Sequence, residues 1–319
     1  MRKLKLGIIG TGIATTDLYW PQLKQLKAKI EIVAVANRRI SKAKAFAKLA
    51  GVKHVAEGGD ALLARPDVEA VMISLPINLN AQWVIKALKA GKHVICEKPI
   101  ASNPAEGARL IKAAAKYKKL WMVGENYYFV PSTIQARNWI KAGKIGRLHL
   151  IEAAQLNRLV TSNKYYKTTW RQKPKYIGGF VVDAGVHISN IAREVAGMPV
   201  AVKNMTARYN PALVPIDTAV AALKFKSGAL GIWRSCFSAV SPSRMPLLKV
   251  FGSKGTVEIY DGHAVLYPLK GKPVTVNSKH DGFYHQFDHF ADAVVKGTKL
   301  RFKPQQALQD LEFMQMVVK

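Results

Sequence analysis

The chain has 319 residues, 49% of them hydrophobic, enough for two cores because a single core stops growing near ~250–300 residues. Its 49 lysines and arginines outnumber the 20 aspartates and glutamates, a formal charge of +29, and its two cysteines, Cys96 and Cys236, lie far apart. A disulfide framework and a clustered-thiolate metal site are therefore excluded, and no metal is expected.

No apolar run approaches the ~20 residues of a membrane span. Gly7, Gly10 and Gly12 interrupt the segment behind the basic start, so no leader peptide is read there and a soluble, cytoplasmic protein is expected. The basic residues are scattered and never form a block of five or six. Lys42, Lys44 and Lys48 punctuate one expected helix, and Lys86 and Lys89 another. The excess charge is thus read as a solvated surface and not as a specific nucleic-acid site.

In chain order, residues 4–9 form a short apolar strand followed by a glycine-rich turn, and 31–36 form a second strand. Ser41 is the expected cap of a helix through 49. Residues 68–75 form a third strand closed by Pro76, and Asn80 is the expected cap of a helix to 90, where Gly91 stops it. Residues 93–96 form a fourth strand. Ser102 or Asn103 caps the next helix, with Pro104 in its first turn, and 120–123 is a fifth strand. Near-continuous apolar strands require burial on both faces, so the first domain, residues 1–123, is expected to be a doubly wound parallel sheet.

The second domain, residues 124–319, reads as α+β with a large, mostly antiparallel open sheet. A helix at 132–142, a strand at 147–155 and a helix at 183–196 come first. Closely spaced strands follow at 200–207, 218–225, 229–237, 247–251, 256–260 and 264–267, and helices at 284–295 and 305–318 end the chain.

Gly10-Thr11-Gly12-Ile13-Ala14-Thr15 follows the first strand and enters a helix. Glycines there permit a tight turn and close approach of backbone N–H groups to a pyrophosphate; the bland reading is a structural turn. Asn37-Arg38-Arg39 closes the second strand without the carboxylate that would bind a ribose 2′-hydroxyl. It therefore favours NADP, with NAD possible, unless the arginines are only surface cations. Glu97-Lys98-Pro99 closes the fourth strand, where ligands bind in open sheets, and Lys98 offers a cation to a carbonyl or hydroxyl oxygen or is an ordinary surface lysine. Asp183 and His187 are four apart and share one helix face; the alternatives are an N-cap and a core histidine. Trp170-Arg171 reads otherwise as a snorkelling arginine beside a core tryptophan.

Taken in order, the glycine-rich turn, Ala90-Gly91-Lys92-His93-Val94 before Glu97-Lys98-Pro99, Trp170-Arg171, the Gly178-Gly179…Asp183…His187 run and Asp217-Thr218 carry a resemblance. Over essentially its whole length the chain resembles the glucose-fructose oxidoreductase, inositol dehydrogenase and rhizopine catabolism (Gfo/Idh/MocA) family. Thr15 at the third glycine position and Asn80, where many members have histidine, depart from its pattern. The resemblance implies an NAD(P)-dependent dehydrogenase or reductase acting on a CH–OH group of a sugar, cyclitol or other polyol, in a pocket between the domains. It implies that Lys98, Asp183 and His187 are catalytic, with His187 exchanging a proton. Cofactor contacts are expected from Gly10, Thr11, Gly12, Ile13, Ala14, Asn37, Arg38, Ser74, Leu75, Pro76, Asn80, Glu97, Lys98, Asn126, Trp170 and Arg171. A homo-oligomer formed through the open sheet is implied as well. Competing expectations are an NAD-dependent glycoside hydrolase of the same fold and a non-catalytic NAD(P) sensor.

Overall fold

Short aliphatic runs buried on both faces build the first sheet. The computed structural model describes residues 2–241, 245–279 and 281–319. Contacts group Met1–Glu125 with Phe283–Leu308 as one unit, and Asn126–Gly282 with Gln309–Lys319 as another.

In the first unit the strands are β1 (Leu4–Ile9), β2 (Ile30–Asn37), β3 (His54–Glu57), β4 (Ala70–Ile73), β5 (His93–Cys96) and β6 (Trp121–Val123). They form one sheet in the order β3-β2-β1-β4-β5-β6, every pair parallel, which is the doubly wound arrangement with its switch point between β1 and β4. The edge strand β3 is a sixth that the apolar pattern does not announce, because His54 and Glu57 at its ends are exposed.

Two expected caps are corrected. The cap position of the helix Ile40–Ala50 is Arg39, so Ser41 lies inside its first turn. The cap position of the helix Asn80–Lys89 is Leu79, and the Asn80 amide is turned elsewhere. Asn103 does cap Pro104–Ala114, accepting a bond from Glu106 N at 2.9 Å. The segment Phe283–Leu308 adds most of the helix Gly282–Lys296 to this unit. Phe287 and Phe290 are fully buried, and Tyr19 meets Phe283 and Phe287 edge-on at 5.4 and 5.5 Å.

The second unit is built on β7 (Leu148–Leu156), β8 (Pro199–Ala207), β9 (Thr218–Phe225), β10 (Leu230–Cys236), β11 (Leu248–Gly252), β12 (Gly255–Ile259), β13 (His263–Pro268) and β14 (Val274–Asn277). The sheet order is β14-β13-β12-β11-β7-β10-β9-β8, antiparallel except for the parallel pair β7–β10. Strict alternation marks β9, where Ala219, Ala221, Leu223 and Phe225 are buried and Val220 is exposed. On β10, Trp233 points inward while Leu230 and Ile232 stay exposed.

The inner face packs against the helix Gly179–Ala196 and the end of Pro304–Val318. Trp233 lies 5.7 Å from Phe313, and Gly185 lies against Met314, whose side chain would have to shift to admit a Cβ. A buried ion cluster ties the two helices: Asp310 accepts from Arg193 Nε at 2.6 Å and from Asn190 Nδ2 at 2.9 Å. Among the described residues no helix is long and apolar enough to cross a membrane, and no group of three or more His, Cys, Asp or Glu side chains is placed to hold a metal ion.

Candidate active site

In an open parallel sheet, ligands bind outside the carboxyl ends of the strands. The first unit gathers its expected contacts there. Gly10 follows β1 with φ 97°, and a Cβ on it would stand 2.1 Å from Ser74 O, so only glycine lets the turn lie against the end of β4. Gly12 differs: a Cβ there would meet no atom within 4 Å. Open space there, at the turn that follows β1, leaves room for a group such as a pyrophosphate beside backbone N–H donors. Thr15, at the third fingerprint position, is buried and donates its hydroxyl to Gly10 O at 2.6 Å, bracing the turn from within.

The end of β2 is tied to the same turn. Asn37 Nδ2 donates to Thr11 Oγ1 at 3.0 Å, while its Oδ1 accepts from Arg39 N at 3.0 Å. Arg38 is exposed beyond this knot. At the end of β5, Asn80 donates from Nδ2 to both Glu97 O and Pro99 O, each at 2.9 Å, and Glu97 Oε2 accepts from Lys98 N at 3.1 Å. Lys98 is half-buried. Just before it, burial pushes the Cys96 thiol up to about 12, so that sulfur stays protonated.

The second unit carries the remaining expected residues. Gly178 caps the helix Gly179–Ala196 in the left-handed region, and a Cβ on Gly179 would stand 2.3 Å from Val214 O. The helix therefore begins four residues before Asp183, which is an interior residue and not its N-cap. Asp183 is buried and its Oδ2 accepts from Arg171 Nε at 2.7 Å. The Arg171 guanidinium lies over Trp170 at 3.9 Å and over Tyr165 at 5.3 Å, so Trp170, Arg171 and Asp183 form one cluster. One turn along, half-buried His187 packs its ring 4.8 Å from that of Tyr127. Tyr127 belongs to the short helix Asn126–Phe129, and the side-chain oxygen of Asn126 is buried with no hydrogen-bond partner among the described residues.

Three tyrosines join these groups without a warning in the motif spacing. Tyr165 and Tyr127 supply rings to Arg171 and His187. Tyr176 buries a hydroxyl that has no partner among the described residues; burial pushes its phenol up, and the Asp183 carboxylate adds to that. Their nearness in the chain to Asn126 and to Gly178-Gly179 is the one signal that could have found Tyr127 and Tyr176, and Tyr165 had none.

Residues 4–125 match the model of an oxidoreductase family with an NAD-binding Rossmann fold, and residues 137–319 match the C-terminal alpha/beta domain of that family. The chain is 30% identical over 284 residues to a dTDP-3,4-didehydro-2,6-dideoxy-alpha-D-glucose 3-reductase of Streptomyces violaceoruber, covering 88% of this chain and 79% of the relative. It is 28% identical over 262 residues to the myo-inositol 2-dehydrogenase of Thermotoga maritima, covering 80% and 74%. The crystal structure of an oxidoreductase from Thermotoga maritima superposes with a TM-score of 0.92 at 32% identity, covering 100% of this chain and 96% of that one. With both halves of the chain matched and the sheet order of each unit in place, this protein belongs to the Gfo/Idh/MocA family of oxidoreductases.

Proposed function

We propose that the protein transfers a hydride between NADP(H) and a CH–OH group of a small polyhydroxylated substrate, a sugar or cyclitol. The observation that carries this reading is the row of groups at the carboxyl ends of β1, β2, β4 and β5. There, Gly12 leaves open space, Arg38 is exposed with no carboxylate in Asn37-Arg38-Arg39, and the backbone on both sides of Lys98 is pinned. A sugar-nucleotide reductase and an inositol dehydrogenase among the relatives support the substrate class.

The cofactor, when bound, supplies the hydride donor or acceptor. The backbone of Gly10 to Ala14 would hold its pyrophosphate, and Arg38 would pair with a 2′-phosphate. Ser74, Leu75 and Pro76, which follow β4, would wall the same edge. Lys98 donates a hydrogen bond to the reacting oxygen and stabilises its alkoxide character. His187 takes up or returns the proton. Asp183, fixed in direction by Arg171, orients substrate or imidazole.

A panel of sugars, sugar acids and inositols, run with both cofactors and read by the absorbance of reduced nicotinamide, tests the reading. His187→Ala should lower turnover by roughly 10²–10⁴-fold with cofactor affinity unchanged. Wild-type turnover in that variant across pH 6 to 9, or release of free sugar without net reduced cofactor, overturns it. The exposed sheet face bearing Met205, Val220, Leu230 and Ile232 is proposed to pair with a second copy, and a monomer in sedimentation would refute this.

A further inference from the structure

We infer that Asn80 is a positioning residue for Lys98 and not a ligand of the cofactor; this rests on the reading of Lys98 given above. Asn80 opens the helix Asn80–Lys89 but does nothing for that helix's free N–H groups, and it is fully buried. Its amide instead donates to Glu97 O and to Pro99 O, both at 2.9 Å. An asparagine NH₂ has two N–H donors, and both are used. The two carbonyls that accept them belong to the residues immediately before and after Lys98. One rigid, buried group thus grips the chain on either side of that single lysine.

A lysine ammonium rides on a four-carbon stem with several rotors, so its aim depends on how well its Cα is held. The β5 ladder ends at Cys96, and Glu97 N still bonds to Ile73 O, but past that point the chain leaves the sheet. Asn80 extends the fixed backbone through Pro99. The side-chain oxygen of Asn80 makes the same point from the other direction, because it is buried with no partner among the described residues. A buried carbonyl without a partner is destabilising. With its oxygen sealed from solvent, the Asn80 amide is turned to the backbone around Lys98, and its two N–H bonds are its only side-chain hydrogen bonds among the described residues. Aspartate has the same shape without the donors, and histidine keeps one of them.

The test uses Asn80→Ala, Asn80→Asp and Asn80→His, alone and combined with Lys98→Met, on the best substrate of the panel. Asn80→Ala should lower kcat 10- to 100-fold with KM changed less than threefold and NADPH affinity within twofold. In the Lys98→Met background it should cost less than twofold, because the group it positions is gone. Asn80→His should recover at least threefold over alanine. A loss of equal size in both backgrounds, an unchanged kcat, or an NADPH affinity that falls in step with kcat overturns the inference.

A second readout needs no turnover. Trace acetylation by acetic anhydride, mapped by mass spectrometry, should change at Lys98 at least threefold relative to exposed Lys112 in Asn80→Ala and in Asn80→Asp; an unchanged ratio overturns the inference. Full turnover in Lys98→Met alone would sink the functional reading and this inference with it. An inactive Lys98→Met with additive Asn80 effects would sink only the latter.

Discussion

The same substitution, glycine to alanine, should do two different things at two positions separated by one residue. At Gly10, an alanine must adopt φ 97°, which costs ~1–2 kcal/mol for an L-residue. Its Cβ would also stand 2.1 Å from Ser74 O and 2.8 Å from Ser74 C, backbone atoms that move only if β1 and β4 part. Overpacking of that kind costs ~1–3 kcal/mol. The sum, roughly 2–5 kcal/mol, is a large part of an ordinary stability of ~5–15 kcal/mol and corresponds to a fall in melting temperature of roughly 4–20 °C. At Gly12 a Cβ meets no protein atom within 4 Å, so the fold should keep its stability to within about 0.5 kcal/mol. The added methyl instead enters the space assigned to the pyrophosphate, and NADPH affinity should drop ~10- to 100-fold, about 1.4–2.8 kcal/mol. Thermal melts read by circular dichroism, alongside NADPH fluorescence titration, separate the two effects. A Gly12→Ala protein that binds NADPH like wild type would refute the placement of the phosphate cradle. A Gly10→Ala protein with an unchanged melting temperature would refute the steric reasoning.

Arg38→Asp should shift preference from NADP toward NAD; a wild type that already favours NAD tenfold, about 1.4 kcal/mol, contradicts the reading of that loop. His93 Nδ1 accepts from Leu120 N at 3.1 Å, and burial, aided by Lys119, holds the imidazole below its ordinary 6.5. A depressed folded pKa means the unfolded chain binds the proton first, so this stability is complete above about pH 6.5 and is lost as pH falls through the lower folded value. Urea midpoints between pH 7.5 and 5 should therefore fall less steeply in His93→Gln, and an identical slope counts against the argument. Asp310→Ala should destabilise by about 3–5 kcal/mol in urea denaturation, because Arg193, 8% exposed at its side chain, then keeps Glu194 alone as a carboxylate partner among the described residues. A loss below 1 kcal/mol would show that water reaches the guanidinium.

Features encoded within a few residues were legible in the sequence. The apolar runs at 4–9, 68–75 and 93–96 demanded a sheet covered on both faces, and the closely spaced strands between 200 and 267 demanded a mostly antiparallel second sheet. The glycine turn and the Asn103 cap followed from local backbone chemistry in the same way. What depends on distant partners was not legible. The Gly179–Ala196 helix starts four residues before Asp183, at a glycine that lies against Val214 O, thirty-five positions downstream. Asp183 is held by Arg171 across twelve positions, and Asn80 bonds carbonyls seventeen and nineteen positions away instead of capping its own helix. Phe283–Leu308 joins the first unit although the second-domain pattern runs unbroken to the end of the chain. Helical and strand periodicity reports which face of an element is buried. Which side chain waits on the other side is decided only when the tertiary fold brings distant segments within the ~3 Å reach of a hydrogen bond.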